Sequence, residues 1–410
     1  MGLKLDSVNW YNAVLELVRI SIGTSDGEFE FDNLTEEDWE SITEEVFAQS
    51  MGLMCFDAVC SVRSNVPETI YNEWFKRSLS LTAKGVRNSR GQAKLVELLN
   101  ANGIPYVILK GFSSAYYYPE PDKRASGDID FLVNPSDVEK TRELLIEKGY
   151  KMAADSNPVH YELDFEKVRF ELHKVVSGLP DNKKAKPIFK EALDDIIESA
   201  ELTEEGAAKP SDYHHGIVIF LHTMHHMLSN GIGARQLCDW ACFVNKTHEQ
   251  SFWQDKMIPL LKKTGTFTFA SALTEACIYY LNIPKPLWHD TVSDDLRDSI
   301  IKEIYTSGNF GRKNPDNNSR MNLMVVKNSK KLTVFGKIAK LFKALHYSNK
   351  TVFPIIEKAP YLYPFIMVWR VIRHIGLIIL GKRPSLLKIS RQADERNKVF
   401  MKYNLYETEE

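Results

Sequence analysis

The run Gly127-Asp128-Ile129-Asp130-Phe131-Leu132-Val133 sets two carboxylates two residues apart in an otherwise apolar segment. Strand side chains alternate between faces, so Asp128, Asp130 and Leu132 share one face, opposite Ile129, Phe131 and Val133. Two acids held side by side on a buried strand repel and raise one another's pKa, a cost that a divalent cation between them removes. Mg2+ suits the pair, because it takes one or two carboxylates together with water and phosphate oxygens, and Mn2+ is its substitute. The same alternation in Arg169-Phe170-Glu171-Leu172-His173 groups Arg169, Glu171 and His173, so Glu171 can supply a third carboxylate from a neighbouring strand. Three converging carboxylates suit two ions about 3.5 to 4 Å apart that flank the attacking and leaving oxygens of an in-line phosphoryl displacement.

Two other groups of residues compete for attention. His222-Thr223-Met224-His225-His226 puts His222 and His226 four apart on one helix face, which is a zinc-ligand spacing, but Thr223 stands where the metalloprotease helix carries Glu. These histidines are therefore expected to line a cleft facing the acids, with a metallohydrolase built on His222, His226 and Asp239 as the lesser reading. Arg235 and Asp239 are also four apart on a helix, as substrate contacts or as a plain intrahelical ion pair. The five cysteines form no Cys-x-x-Cys pair, and Cys238 and Cys242, one helical turn apart, read as core thiols.

The elements that must position these residues follow from periodicity and punctuation. A helical pattern runs from Ser7 to about Asn102, with a long helix from Pro67 onward and no strand. The turn Asn102-Gly103-Ile104-Pro105 leads into the buried strand Tyr106 to Leu109, and Gly111 opens a helix predicted to reach Tyr118. A loop from Pro119 to Arg124 precedes the strand Asp128 to Val133, a helix runs from Pro135 to Gly149, and strands Val159 to Phe165 and Val168 to Val175 flank the turn Glu166-Lys167. Helices return after Pro187 and continue to about Ser307, and Gly308 to Asn318 has linker composition. The expected architecture is α+β, a small mixed sheet between helical regions. Its expected parts are an N-terminal helical region 1–102, an α/β core 103–180, a helical cleft domain 181–310 and a basic, aromatic helical region 311–410.

Leu109-Lys110-Gly111, Tyr118-Pro119, Arg124, Gly127-Asp128-Ile129-Asp130-Phe131-Leu132-Val133, Gly149-Tyr150 and Phe170-Glu171-Leu172-His173 match, in order and spacing, a family pattern. Over residues 103 to 175 the chain is similar to the uncharacterised bacterial nucleotidyltransferase family of the polymerase-beta-like superfamily, and more weakly so over His222 to Asp239. The resemblance implies transfer of a nucleoside monophosphate from an NTP to an acceptor hydroxyl, with release of pyrophosphate. It gives Asp128 and Asp130 the role of holding two metal ions. Glu171 would complete one metal site and help deprotonate the acceptor, and His173 would orient Glu171 or contact substrate. The chain departs from the superfamily in its phosphate loop: Lys110-Gly111 replaces a Gly-Gly or Gly-Ser pair, and sixteen residues separate Gly111 from Asp128. The backbone after Gly111, with Ser113 or Ser114, is then the expected phosphate cradle, and Lys110 or Arg124 the expected counter-charge.

The net charge of −2 conceals a division. Residues 1–310 hold 32 Lys and Arg against 47 Asp and Glu, and residues 311–402 hold 20 against 4. The basic region is expected to meet an anionic membrane, a nucleic acid or the acidic remainder of the chain. Phe365 to Leu380 is apolar apart from the stripe Arg370, Arg373 and His374, flanked by Lys337, Lys340, Lys343, Lys382, Arg383 and Lys388. At sixteen residues it is short for a membrane span and suits a helix lying on a surface. No RNA-recognition motif is present, and with no secretory signal the expected address is cytoplasmic, with membrane association through the C-terminal region. A catalytically inactive adaptor that binds nucleotide or a partner is the alternative function.

Overall fold

The computed structural model describes residues 9–27, 29–154, 158–229, 231–309, 313, 353, 359–380, 394 and 397–407. The N-terminal part is helical, as the periodicity predicts: α1 (Asn9–Ser21), α2 (Glu36–Ala48), α3 (Phe56–Ser61) and the long α4 (Glu68–Ala101). Thr35 and Asp38 close a capping box at the start of α2, so the first amide of the helix run is satisfied locally. Helix α4 joins two cores. Ile70 and Trp74 at its start pack among the helices, and Leu95 and Leu99 near its end pack on the sheet. Between them, Leu79 to Arg87 are exposed or half-buried.

The sheet has five strands, β1 (Tyr106–Ile108), β2 (Ile129–Val133), β3 (Lys151–Ala154), β4 (His160–Phe165) and β5 (Val168–His173), in the order β1-β2-β5-β4-β3. Only β2 and β5 pair in parallel, and their register sets Asp130 opposite Glu171 and Leu132 opposite His173. Glu166 and Lys167 both adopt positive φ, 48° and 64°, which is the twist a two-residue hairpin turn between β4 and β5 requires. One sheet face, with Ile108, Phe131, Val133, Phe170 and Leu172, packs on α4 and on α6 (Val138–Glu147). On the other face Val107, Leu109 and Leu132 join the helical core, and the acids stand beside them.

Helices α7 (Ala185–Glu191), α8 (Asp212–Met227), α9 (Ala234–Lys246), α10 (Gln250–Phe252), α11 (Ile258–Lys263), α12 (Phe267–Leu281) and α13 (Asp294–Ser307) build that helical core, where α9 and α13 both pack on α12. Three expectations need correction. Strand β3 stands in a segment to which the sequence assigns no element, because Lys151-Met152-Ala153-Ala154 lacks the branched and aromatic residues that mark strands. A small hairpin, β6 (Glu201–Leu202) with β7 (Ala208–Lys209), interrupts the helical stretch. The helix after Gly111, α5, covers only Phe112–Ala115, and Tyr117 and Tyr118 continue as turns.

The C-terminal region returns to this core, where Phe400, Tyr403 and Leu405 are buried and the Tyr406 amide donates to the Gly265 carbonyl. Within the stretch read as a linker, Asn309 donates to Ser50 and accepts from Gln236, and Lys313 pairs with Glu45. Helix α14 (Tyr363–Ile379) carries the Arg370 and Arg373 stripe. The flanking Lys337, Lys340, Lys343, Lys382, Arg383 and Lys388 lie outside the described residues. Among the described residues no helix is long and apolar enough to cross a membrane.

Candidate active site

A cleft of about 1900 Å3 opens between the middle of α4, the polar half of the sheet, and α8 and α9. Its volume exceeds the roughly 300 to 1000 Å3 usual for one small ligand, so it has room for two substrates. Asp128, Asp130, Glu171 and His173 line it together. The acids meet because parallel pairing of β2 with β5 sets Asp130 and Glu171 side by side on one face, with Asp128 immediately before β2.

Lys110 and His173 converge on Asp130. Lys110 Nζ lies 2.7 Å from its Oδ1, and His173 Nε2 lies 2.9 Å from the same oxygen. Burial alone would raise the Asp130 pKa, but Lys110 and His173 hold it well below the ordinary carboxylate value. Asp128 responds in the other direction: burial first, then the charges of Asp130 and Glu171, push it up to about 6. Burial works against the Lys110 ammonium too, yet Asp130, Glu171 and Asp128 together raise its pKa above normal. The acid group thus keeps more negative charge than its protein neighbours relieve, which is the property of a site fitted to a divalent cation.

The turn after β1 is fixed from across the cleft. Gly111 has φ 67° and ψ −100°, and a Cβ there would meet Ser126 Cβ at 3.3 Å, so glycine is needed both for the backbone and for the close approach. Arg124 binds both oxygens of Asp239 at 2.7 Å and donates from Nη1 to the Gly111 carbonyl at 3.0 Å. Tyr118 donates to the same Asp239 at 2.7 Å. The hydroxyls of the expected cradle are used within the fold, Ser113 donating to the Ile108 carbonyl and Ser114 meeting His215 Nε2 at 3.4 Å.

The Arg235–Asp239 pairing suggested by helix spacing is replaced by this longer-range one, since Asp239 points back to Arg124 while Arg235 donates to the Ala125 carbonyl at 3.1 Å. Arg235, His222 and His226 line the cleft. Burial lowers the pKa of His222 well below the usual value, and burial with His225 and Lys110 lowers that of His226 to about 3, so both imidazoles are neutral. Among the described residues the group with metal-ligand spacing is instead His160, Glu171 and His173, whose ligand atoms lie within 4.8 Å of one another.

The sequence gives His160 no role, and Tyr118 none beyond its place in the Tyr118-Pro119 motif. Alternation along His160-Tyr161-Glu162 would have put His160 on the acid face, but only the β4–β5 register, which sets His160 opposite His173, shows what it meets. Cys238, Cys242 and Cys277 are buried thiols, as expected, and Cys60 is exposed.

A family model described as an uncharacterised nucleotidyltransferase matches residues 35–282. The matched span runs from the Thr35 cap of α2 to Asn282 at the end of α12, so it takes in the helical walls of the cleft as well as the sheet. No curated protein matches the chain.

Proposed function

The chain belongs to this nucleotidyltransferase family, and on that premise we propose that it transfers a nucleoside monophosphate from an NTP to an acceptor hydroxyl and releases pyrophosphate. The observation that carries the reading is the convergence of Asp128, Asp130 and Glu171, from two parallel strands, at the floor of a cleft large enough for both substrates.

Asp128, Asp130 and Glu171 would hold divalent ions, Mg2+ in the first instance. Such ions neutralise the triphosphate and sharpen the nucleophilicity of the acceptor oxygen. The residues do the rest. Lys110, at the mouth of the acid group, offers its ammonium to the phosphates, and the turn at Gly111 brings backbone amides to the same place. Arg124, clamped by Asp239, keeps that turn in position, and Ser113 and Ser114 pack beneath it. Before the ions bind, His173 holds the Asp130 carboxylate in orientation. Glu171 takes the proton of the acceptor hydroxyl as the new oxygen–phosphorus bond forms and the bond from the α-phosphorus to pyrophosphate breaks. His222, His226 and Arg235 form the acceptor wall.

The test is transfer of label from an α-phosphate-labelled NTP. Asp128→Ala and Asp130→Ala are each expected to abolish transfer while thermal melts remain cooperative. Undiminished transfer in either variant would overturn the assignment. NTP binding by calorimetry with no transfer to any acceptor would favour a binding adaptor that has kept the fold.

A further inference from the structure

His160 and His173 face each other across β4 and β5, and Glu171 lies between them on the same sheet face. Glu171 Oε2 is 3.5 Å from His160 Nδ1 and 3.4 Å from His173 Nε2. These spacings are longer than good hydrogen bonds, for which about 2.7 to 3.2 Å is usual. They match instead the separation of two ligands that each stand roughly 2.1 Å from one ion, which is about 3.0 to 3.5 Å for octahedral or tetrahedral angles. A second feature points the same way. His160 Nε2 stands 3.6 Å from Glu162 Oε1, too far for a hydrogen bond but near enough for that carboxylate to add negative charge behind the imidazole. All three residues line the cleft.

We propose that His160, Glu171 and His173 form a nitrogen-containing cation site beside Asp128 and Asp130, sharing Glu171 with them, and that this site selects Mn2+ over Mg2+. The inference deepens the nucleotidyltransferase reading and rests on it for its placement in the reaction. The selectivity follows from ligand type. Mg2+ favours all-oxygen surroundings and gives up water reluctantly, whereas Mn2+ accepts carboxylate and imidazole together. On binding, the ion takes the position of the hydrogen bond at His173 Nε2, and the displaced proton leaves to solvent. The chain would then pair one oxygen-only site, at Asp128 and Asp130, with one mixed site.

Pulsed electron paramagnetic resonance on full-length protein labelled with 15N-histidine and loaded with Mn2+ alone reads the ligands directly. Coupling from directly bound histidine nitrogen is expected in the wild type. His160→Ala should weaken that coupling and lower Mn2+ affinity by roughly tenfold, with Mg2+ affinity little changed. A Mn2+ spectrum without nitrogen coupling, or no Mn2+ binding at all, overturns the proposal, and the wild-type spectrum decides this even if the variant folds poorly. Label transfer by the Mg2+-loaded wild type separates the two claims. Transfer with oxygen-only Mn2+ sinks the mixed site alone, and nitrogen-coupled Mn2+ without transfer sinks the nucleotidyltransferase reading alone.

Discussion

Asp128 and Asp130 are two residues apart and experience opposite fields, because Lys110 and His173 both reach Asp130 while Asp128 meets mainly burial and other acids. The contrast has a sign that can be measured. A carboxyl whose folded pKa is raised, here from 3.8 to about 6, contributes stability below its unfolded value and loses it as pH rises through the folded one. In chelator, Asp128→Asn should therefore be more stable than the wild type at pH 7.5, by on the order of 2 kcal/mol, and the gap should close as pH falls toward 4. Urea titrations at the two pH values check this, and a variant less stable at pH 7.5 would show that Asp128 is not held under repulsion. Asp130 works in the opposite sense: its lowered pKa contributes stability above the ordinary carboxylate range, which is lost on acidification. The sequence revealed the acids because strand alternation is a local rule. It missed His160 and mispaired Asp239, since both depend on which strand or loop lies alongside, and periodicity holds no information about that.

At the scale of elements, the site is held by contacts made far along the chain. Helix α4 lies against the sheet through Gly91, where a Cβ would come within 3.2 Å of Val168, so the small residue sets the distance between helix and strand. Asn88 on the same helix donates to the Ser126 carbonyl at 3.3 Å and steadies the loop that ends at Asp128. The buried pair Arg124–Asp239 ties the Gly111 turn to α9, with side chains only 6% and 7% exposed. Removing one member leaves a buried charge unpaired, so Arg124→Ala is expected to cost about 3 kcal/mol and to reduce transfer by moving the turn. Denaturant unfolding measures the first effect, and a loss under 1 kcal/mol would mean that water replaces the guanidinium without penalty. The long helix and the β4–β5 hairpin were legible because caps, periodicity and a two-residue turn are encoded locally. Strand β3 and the β6–β7 hairpin were not, because their short pairings are imposed by neighbours.

Across the whole molecule, the charge division between an acidic body and a basic C-terminal region is met partly from within, as Lys313 pairs with Glu45 and Lys402 with Asp295. Helix α14 is different, presenting exposed Phe365, Val368, Trp369 and Ile372 alongside Arg373. Apolar residues beside positive charge are the composition of a helix that lies on an anionic surface, and vesicle binding tests that expectation. The wild type should co-sediment with phosphatidylserine vesicles at low salt, less so at high salt, and a Phe365→Ala/Trp369→Ala variant should remain in the supernatant. Equal binding by that variant would assign the attraction to charge alone. At this scale the acids of β2 and β5 serve, on the reading proposed above, to pass a nucleoside monophosphate to an acceptor held in the same cleft. The most direct measurement is mass spectrometry of a cell extract incubated with purified protein, Mg2+ and each NTP in turn. A new species heavier than its parent by one nucleoside monophosphate is expected, and it should be absent with Asp130→Ala. Failure of the folded, metal-loaded wild type to produce such a species from any NTP would contradict that reading.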